Sequence, residues 1–255
     1  MKKTGLSLLL ALALVGCSEE ETTKQEGKPA EQSPKTEEKA EDVVSVEVSD
    51  EVIYTWNDAS IGDMEQVSFY AKINNTGDKP VDVMDTKLTY KDSSGGVIGT
   101  LENSDLFMNI HPSVIGPGQT SYIAIKLDSD ESFKDLKEVT VDVNPVEFDG
   151  DVVELKTDKV NVKKSDEWGG DVGVTGYIKN ETDKPADQVQ LASALYDKDG
   201  NFLGALLPGS DQSFQVDANG ETSFDLGIPG FPSDQVGNVE KAEVISTYID
   251  YGEIE

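Results

Sequence analysis

The chain is poor in the side chains that most catalytic and metal sites require. Among 255 residues there are one cysteine, one histidine and no arginine. A Ser/His/Asp triad would have to use His111, which stands beside Pro112, and no Gly-x-Ser-x-Gly elbow accompanies it. One histidine and one cysteine cannot supply the three or four ligands of a zinc site. We therefore expect no catalytic residue, and we interpret His111 as a surface loop residue.

Positive charge is also scarce. The 21 basic residues, all lysine, stand against 50 Asp plus Glu and give a formal net charge of -29. Phosphate and base recognition rely on arginine, and a field of this sign repels polyanions. The composition excludes nucleic-acid binding and predicts a well-solvated acidic surface. Weak cation accumulation or a basic partner is the alternative explanation of the acidity.

No apolar run is long enough to cross a membrane. The longest extends from Leu6 to Val15, follows two lysines, and ends in Leu14-Val15-Gly16-Cys17. This pattern predicts a secretory signal in residues 1–16. Its last four residues resemble the lipobox of bacterial lipoproteins. That resemblance implies cleavage before Cys17, a lipid on its sulfur, and anchoring to the outer face of a Gram-positive type of cell membrane; an ordinary signal with an incidental cysteine is the alternative.

The segment after Cys17 lacks the residues that build a core. From Ser18 to Asp42 there is no aromatic residue and no aliphatic side chain larger than alanine. Such a composition buries too little apolar surface to offset the entropy of ordering. We predict that residues 17–42 are a lipidated cysteine followed by a disordered acidic linker. Because Cys17 is the single cysteine, the rest of the chain must fold without a disulfide.

Beyond the linker, apolar residues recur with a period of two. In one run Val67, Phe69, Ala71 and Ile73 alternate with Ser68, Tyr70, Lys72 and Asn74, and three other runs centre on Val46, Ile125 and Val141. This alternation is typical of half-buried antiparallel strands, and clusters of Gly, Pro, Asn and Asp between the runs supply the turns. The sequence predicts an all-β chain, most simply antiparallel β-sandwiches.

The β region contains an internal duplication. Each motif recurs about 105 positions later and in the same order. The recurring pairs are Ile73-Asn74-Asn75-Thr76-Gly77-Asp78-Lys79-Pro80 with Ile178-Lys179-Asn180-Glu181-Thr182-Asp183-Lys184-Pro185, Tyr90, Asp92 and Gly99 with Tyr196, Asp197 and Gly204, and Pro117-Gly118-Gln119-Thr120 with Asn219-Gly220-Glu221-Thr222. We predict two tandem sandwich repeats, at 43–148 and 151–255, each long enough to bury its own core.

The second repeat carries the closer family resemblance. Its segments Gly176-Tyr177-Ile178-Lys179-Asn180, Leu195-Tyr196-Asp197 and Gly220-Glu221-Thr222-Ser223-Phe224 resemble the FxLYD-type domain of Gram-positive surface lipoproteins. The first repeat matches more loosely, with Leu88-Thr89-Tyr90-Lys91-Asp92 in place of the central motif. The resemblance implies an immunoglobulin-like β-sandwich and a place on the cell surface. It implies no catalytic residue.

Two further features bear on ligands. Asp197, Asp199 and Asn201 have the opening spacing of a calcium loop, but Pro208 stands where the closing glutamate would be needed. A hairpin turn and a weak Ca²⁺ site are both open for these residues, and no other cofactor is expected. Trp56 is predicted to pack in the core or at its rim. Trp168, which precedes two glycines, is expected to be partly exposed, and a ligand-facing role stays open for it.

Together these patterns predict a monomeric, lipid-anchored extracellular protein. We expect a non-catalytic binding or accessory role, in which sandwich loops or a strand edge contact another envelope protein or a small ligand. The sequence does not indicate which residues would bind it. The alternative is an acidic envelope protein that binds Ca²⁺ or other cations weakly and conditions the surface. A hydrolase would require two close carboxylates in a pocket.

Overall fold

The structure, a computed structural model, describes residues 43–102, 109–129, 133, 135–165 and 171–252. The signal, Cys17, the linker and Trp168 lie outside the described residues. Those described all belong to one compact unit, Glu41–Glu255. They form antiparallel strands with two short 3₁₀ turns, so the all-β prediction is confirmed. Within this part of the chain, no helix has the length and apolar character needed to cross a bilayer.

The first repeat builds three small sheets. Its strands are β1 Val46–Asp58, β2 Met64–Asn75, β3 Val81–Asp82, β4 Thr86–Asp92, β5 Val97–Glu102, β6 Ile110–His111, β7 Val114–Ile115, β8 Thr120–Asp128, β9 Leu136–Val143 and β10 Val146–Glu147. The sheet orders are β1-β2-β8-β6, β5-β4-β9 and β10-β3-β7. A core that includes Phe69, Ile73, Leu88 and Tyr90 lies between the two larger sheets.

The second repeat has the same plan. They are β11 Asp151–Glu154, β12 Lys156–Ser165, β13 Asp171–Lys179, β14 Ala186–Tyr196, β15 Phe202–Leu206, β16 Phe214–Val216, β17 Glu221–Leu226 and β18 Lys241–Asp250. The sheets are β12-β13-β17 and β11-β18-β14-β15, and β16 also pairs with β14. The register makes β12, β13 and β17 the counterparts of β1, β2 and β8, and β14, β15 and β18 the counterparts of β4, β5 and β9.

The duplicated Asn residues have the same structural task in both repeats. Asn75 donates through Nδ2 to the carbonyls of Lys79 (2.7 Å) and Ile115 (3.0 Å), and Asn180 donates to those of Lys184 (2.7 Å) and Val216 (3.2 Å). Each Oδ1 accepts the backbone N–H two residues ahead. Both side chains are buried, so these bonds satisfy groups that water cannot reach. The repeated Asn therefore holds the same turn in each repeat.

A bulge also recurs at the same place. Asp50 in β1 and Lys159 in β12 begin register shifts and have φ of 53° and 51°. The pairing gives two corrections to the sequence alignment. Thr120 pairs with Asn74 and Glu221 with the equivalent Lys179, so the counterpart of Thr120 is Glu221 and not Thr222. Tyr90 pairs with Gly99 and Leu195 with Gly204, so the counterpart of Tyr90 is Leu195 and not Tyr196. Since one step along a strand reverses the face, Tyr90 lies in the core with its hydroxyl unpartnered among the described residues, while Tyr196 faces outward.

Candidate functional site: a seam between the repeats and two open faces

The outer side of the β1-β2-β8 sheet in the first repeat, which we call the docking face, is apolar and covered. Tyr70, Tyr122 and Ala124 belong to the buried core of the second repeat, and Val52 and Tyr54 pack against it. They pack against the outer side of the sheet formed by β14, β15 and β18, which we call the receiving face. We call the contact between these two faces the seam. It explains why the described chain forms one compact unit.

Aromatic rings fill the centre of the seam. Tyr122 stacks on Phe202 with 6.2 Å between ring centroids, and Tyr70 lies 6.0 Å from Phe231. The Tyr70 hydroxyl donates to the Gly230 carbonyl at 3.2 Å, which satisfies a fully buried polar group. At Gly204 a Cβ would come within 2.9 Å of the Phe231 ring and 3.0 Å of the Tyr70 ring, so only glycine allows this approach.

A charged cluster borders the aromatic centre. Lys72 pairs with Asp50 at 2.7 Å, and its Nζ lies 5.0 Å from the ring centroid of Tyr196 and 4.8 Å from that of Phe202. Lys241 approaches the Tyr196 ring from the receiving face, at 6.0 Å. Burial alone would lower the pKa of Lys72, but its bonds to Asp50 and Tyr196 raise it above the usual range. The ammonium is therefore held charged at the seam.

A second ion pair lies where β1 and β8 end. Lys126 donates to Asp58 at 2.9 Å, and its Nζ is 5.7 Å from the Trp56 ring. Burial opposes ionisation of Asp58, but bonds from Ser60 and Lys126 lower its pKa below the usual value. Asp171 of the second repeat is part of this environment: burial and the nearby Asp58 raise its pKa. Trp56 is buried, as predicted, and its Nε1 donates to Ser68 at 2.9 Å.

A polar contact joins the repeats beside β6. The Gln190 Oε1 accepts the backbone N–H of Ser113 at 2.6 Å. His111, which was expected in a surface loop, instead ends β6, opposite Tyr122 of the docking face. Both ring nitrogens are buried without a partner among the described residues, and burial lowers the pKa of His111. Burial therefore favours the neutral form of this imidazole.

The counterpart of the docking face on the second repeat, the outer side of β12-β13-β17, is open to solvent. Its residues are polar at the positions that carry aromatic or apolar side chains in the seam. In register order, the seam residues Val52, Tyr54, Tyr70, Tyr122 and Ala124 correspond to Asn161, Lys163, Thr175, Ser223 and Asp225. We call this surface the open docking face.

The receiving face shows the converse. In the second repeat it is made of small and apolar residues, and its counterpart on the first repeat, the outer side of β4-β5-β9, is polar and solvent-facing. In register order, Ala192, Ala194, Tyr196, Phe202, Ala205 and Ile245 correspond to Lys87, Thr89, Lys91, Val97, Thr100 and Asp142. We call this surface the open receiving face. Each face is therefore apolar only in the repeat where the seam covers it.

A groove of about 490 Å³ lies on the open docking face. Lys159, Lys163, Thr175, Tyr177 and Ser223 contribute to its lining. The Lys159 Nζ lies 4.9 Å from the centroid of the Tyr177 ring, and Lys163 pairs with Asp225 at 3.6 Å. The groove offers ammonium and hydroxyl donors and a half-exposed ring. This is the chemistry of a polar contact surface.

The candidate calcium loop is a closed hairpin turn. Oδ1 of Asp197 accepts the backbone N–H groups of Asp199 and Asn201, both at 2.8 Å, and its Oδ2 accepts from the Asn201 side chain. Asp199 is bonded by Lys198. Asp92 makes the same turn-closing bonds in the first repeat. In the part of the chain that the structure describes, no group of three or more His, Cys, Asp or Glu side chains is placed to hold a metal ion.

Comparison with known proteins adds no relative: no protein-family model matches the chain, and no curated protein matches it in sequence. The resemblance to FxLYD-type domains therefore rests on its motif residues. The residues that the sequence alone did not identify are those of the seam. One sequence feature does indicate the seam. The alternation assigns Tyr54, Tyr70 and Tyr122 to the solvent side of their strands, where aromatic residues are unexpected.

Proposed function

We propose that this chain is a lipid-anchored extracellular protein with a non-catalytic binding or accessory role in the cell envelope. The observation that supports it best is the seam, which joins two sandwiches into one body through buried aromatic rings. A fixed pair presents its loops and faces with little conformational entropy left to lose on binding. The Leu14-Val15-Gly16-Cys17 motif supports the anchor, with Cys17 as the lipidated residue.

The surfaces available for a partner are polar. The open docking face, the open receiving face and the hairpin loops all carry charged or hydroxyl side chains, and the chain has a net charge of -29. Such surfaces suit reversible contacts in which complementary charge determines the choice of partner. The anchor and the linker would keep these contacts at the outer face of the membrane, where an envelope protein or a small envelope ligand is the expected partner.

Two measurements test the proposal separately. In producing cells, Cys17→Ala should move the protein from the membrane fraction to the medium, whereas a substitution of Ser18 by alanine should leave it in the membrane. Crosslinking on intact membranes, followed by capture of this chain, should then yield a defined envelope partner with the native protein and lose it with Cys17→Ala. Retention of Cys17→Ala in the membrane would refute the anchor. Absence of any crosslinked species with the anchored protein would refute the binding role.

A further inference from the structure

The seam joins two different surfaces, a docking face and a receiving face, and this leaves one of each uncovered. The open docking face belongs to the second repeat and the open receiving face to the first. A contact between unlike faces can be repeated from one copy to the next. We propose that the open docking face of one copy binds the open receiving face of a second copy, head to tail, in the geometry of the seam.

The first argument is an exchanged pair of partners. In the seam the docking face contributes the cation, Lys72, and the receiving face contributes the ring, Tyr196. At the equivalent positions the open docking face has a ring, Tyr177, and the open receiving face has a cation, Lys91. Tyr177 is 37% exposed, and Lys159 of the same face lies 4.9 Å from its ring centroid. Docking in the seam geometry would therefore bring Lys91 of the second copy to Tyr177, with the same type of contact reversed.

The second argument is an exchange of charge. Beside Lys72 the docking face carries Asp50, and beside Tyr196 the receiving face carries Lys241. Their counterparts are Lys159 on the open docking face and Glu138 on the open receiving face, so both signs are inverted. Docking in the seam geometry would therefore place the positive Lys159 of one copy on the same side of the contact as the negative Glu138 of the other. Within each open face these residues already have partners, since Lys91 bonds Glu138 at 2.8 Å and Lys159 lies over the Tyr177 ring. The contact between copies would place opposite charges across the two faces in addition to these pairs.

The apolar content sets the strength of the contact. Val97, which is 62% exposed, stands in the place of Phe202, and Ser223 in that of Tyr122. The contact between copies therefore has less aromatic area than the seam. Interfaces of this kind are reversible and depend on local concentration. An anchor on a membrane surface would raise that concentration.

The net charge opposes association at long range and gives the contact a distinctive salt dependence. Two copies at -29 repel each other in dilute salt. At about 0.15 M salt the Debye length is about 8 Å, so distant charges are screened while paired groups in contact are affected less. We expect the association to strengthen from about 0.01 M to 0.15 M salt, whereas a contact made by surface ion pairs alone would weaken.

The test uses the full chain with Cys17→Ala, followed by sedimentation velocity over a concentration series. We expect concentration-dependent association in the native background. Two substitutions, Lys159→Asp and Glu138→Lys, introduce the side chains that stand at these positions in the seam. Each should weaken the association about tenfold. An equimolar mixture of the two variants should restore it, because opposite charges then meet between unlike copies. Lys164→Asp, the same charge change on β12 outside the open docking face, is the matched control and should have no such effect.

A second measurement identifies the surfaces. Tyr177→Cys and Lys91→Cys, each in the Cys17→Ala chain, should form a disulfide when the two proteins are mixed and much less in either protein alone. Circular dichroism melts of every variant establish that it is folded. Three results would each overturn the proposal. The native chain could stay monomeric at millimolar concentration, the Lys159→Asp and Lys164→Asp variants could associate equally well, or the mixture of Lys159→Asp and Glu138→Lys could fail to restore association. If the native chain stays monomeric, the two open faces are ordinary solvent-exposed surfaces.

Discussion

Replacing Tyr70 by threonine is the most direct test of the seam. Threonine is the residue at the equivalent position of the open docking face, Thr175. Tyr70 is fully buried, contacts Phe231 and donates to the Gly230 carbonyl. The change Tyr70→Thr should therefore destabilise the joined pair while each sandwich keeps its own internal packing.

The expected cost follows from two losses. Removing a buried aromatic ring and leaving a cavity costs about 2–4 kcal/mol when threonine keeps part of the side chain. The lost hydrogen bond to the Gly230 carbonyl adds about 0.5–1.5 kcal/mol. We expect the free energy of unfolding to fall by about 3–5 kcal/mol. With a urea dependence of about 2–3 kcal/mol per molar, the midpoint should move down by roughly 1–2 M.

Urea titration followed by circular dichroism and tryptophan fluorescence measures this effect. With Trp168→Phe, the emission comes from Trp56, which is buried beside the seam. The matched control is Thr175→Ala on the open face, which should change the free energy of unfolding by no more than about 1 kcal/mol. If Tyr70→Thr cost less than about 1 kcal/mol, or if both substitutions cost the same, the seam would not be what holds the repeats together.

Three further predictions concern other sites. Burial lowers the pKa of His111, so the folded state binds fewer protons than the unfolded state. This contribution to stability is therefore complete above about pH 6.5 and is lost as the pH falls. Between pH 7.5 and 5.5, the urea midpoint should drop more for the native chain than for His111→Phe. Asn75→Ala and Asn180→Ala should each lower the free energy of unfolding by about 2–4 kcal/mol in urea titrations, since each leaves buried carbonyls unpaired. A change near zero for either variant would contradict the closing role of that Asn. Asp197→Ala should lower the urea midpoint, because the Asp197 oxygens close the turn, and it should leave any thermal shift caused by Ca²⁺ unchanged. A Ca²⁺ shift that vanished in this variant would instead indicate a metal site.

The pattern of β2 shows where sequence reasoning stops. Alternation correctly put Phe69 and Ile73 on the core side, and it predicted a half-buried strand. In the structure Tyr70 is buried as well, so β2 is covered on both faces over most of its length. The period of two reports that successive side chains point to opposite sides. It contains no information on whether a second surface covers the outer side.

The alignment of the repeats has a related limit. Matching Tyr90 with Tyr196 is natural from residue identity, but the hydrogen-bonded register matches Tyr90 with Leu195. A shift by one residue reverses the face, and it separates a core tyrosine from one that contacts Lys72 across the seam. Similarly, nothing local distinguishes His111 as a buried residue, because its burial depends on strands that are distant in sequence.

By itself, the sequence determined the strands, the turns and the duplication. These follow from short-range causes: alternating side chains, glycine and proline at turns, and an Asn that closes the same loop twice. The tertiary structure decided which of two equivalent faces is covered, that Tyr70 and Tyr122 are core residues, and that Lys72 meets Tyr196. Burial of a sheet's outer face depends on the surface brought against it, and contacts between distant segments have no local signature in the chain.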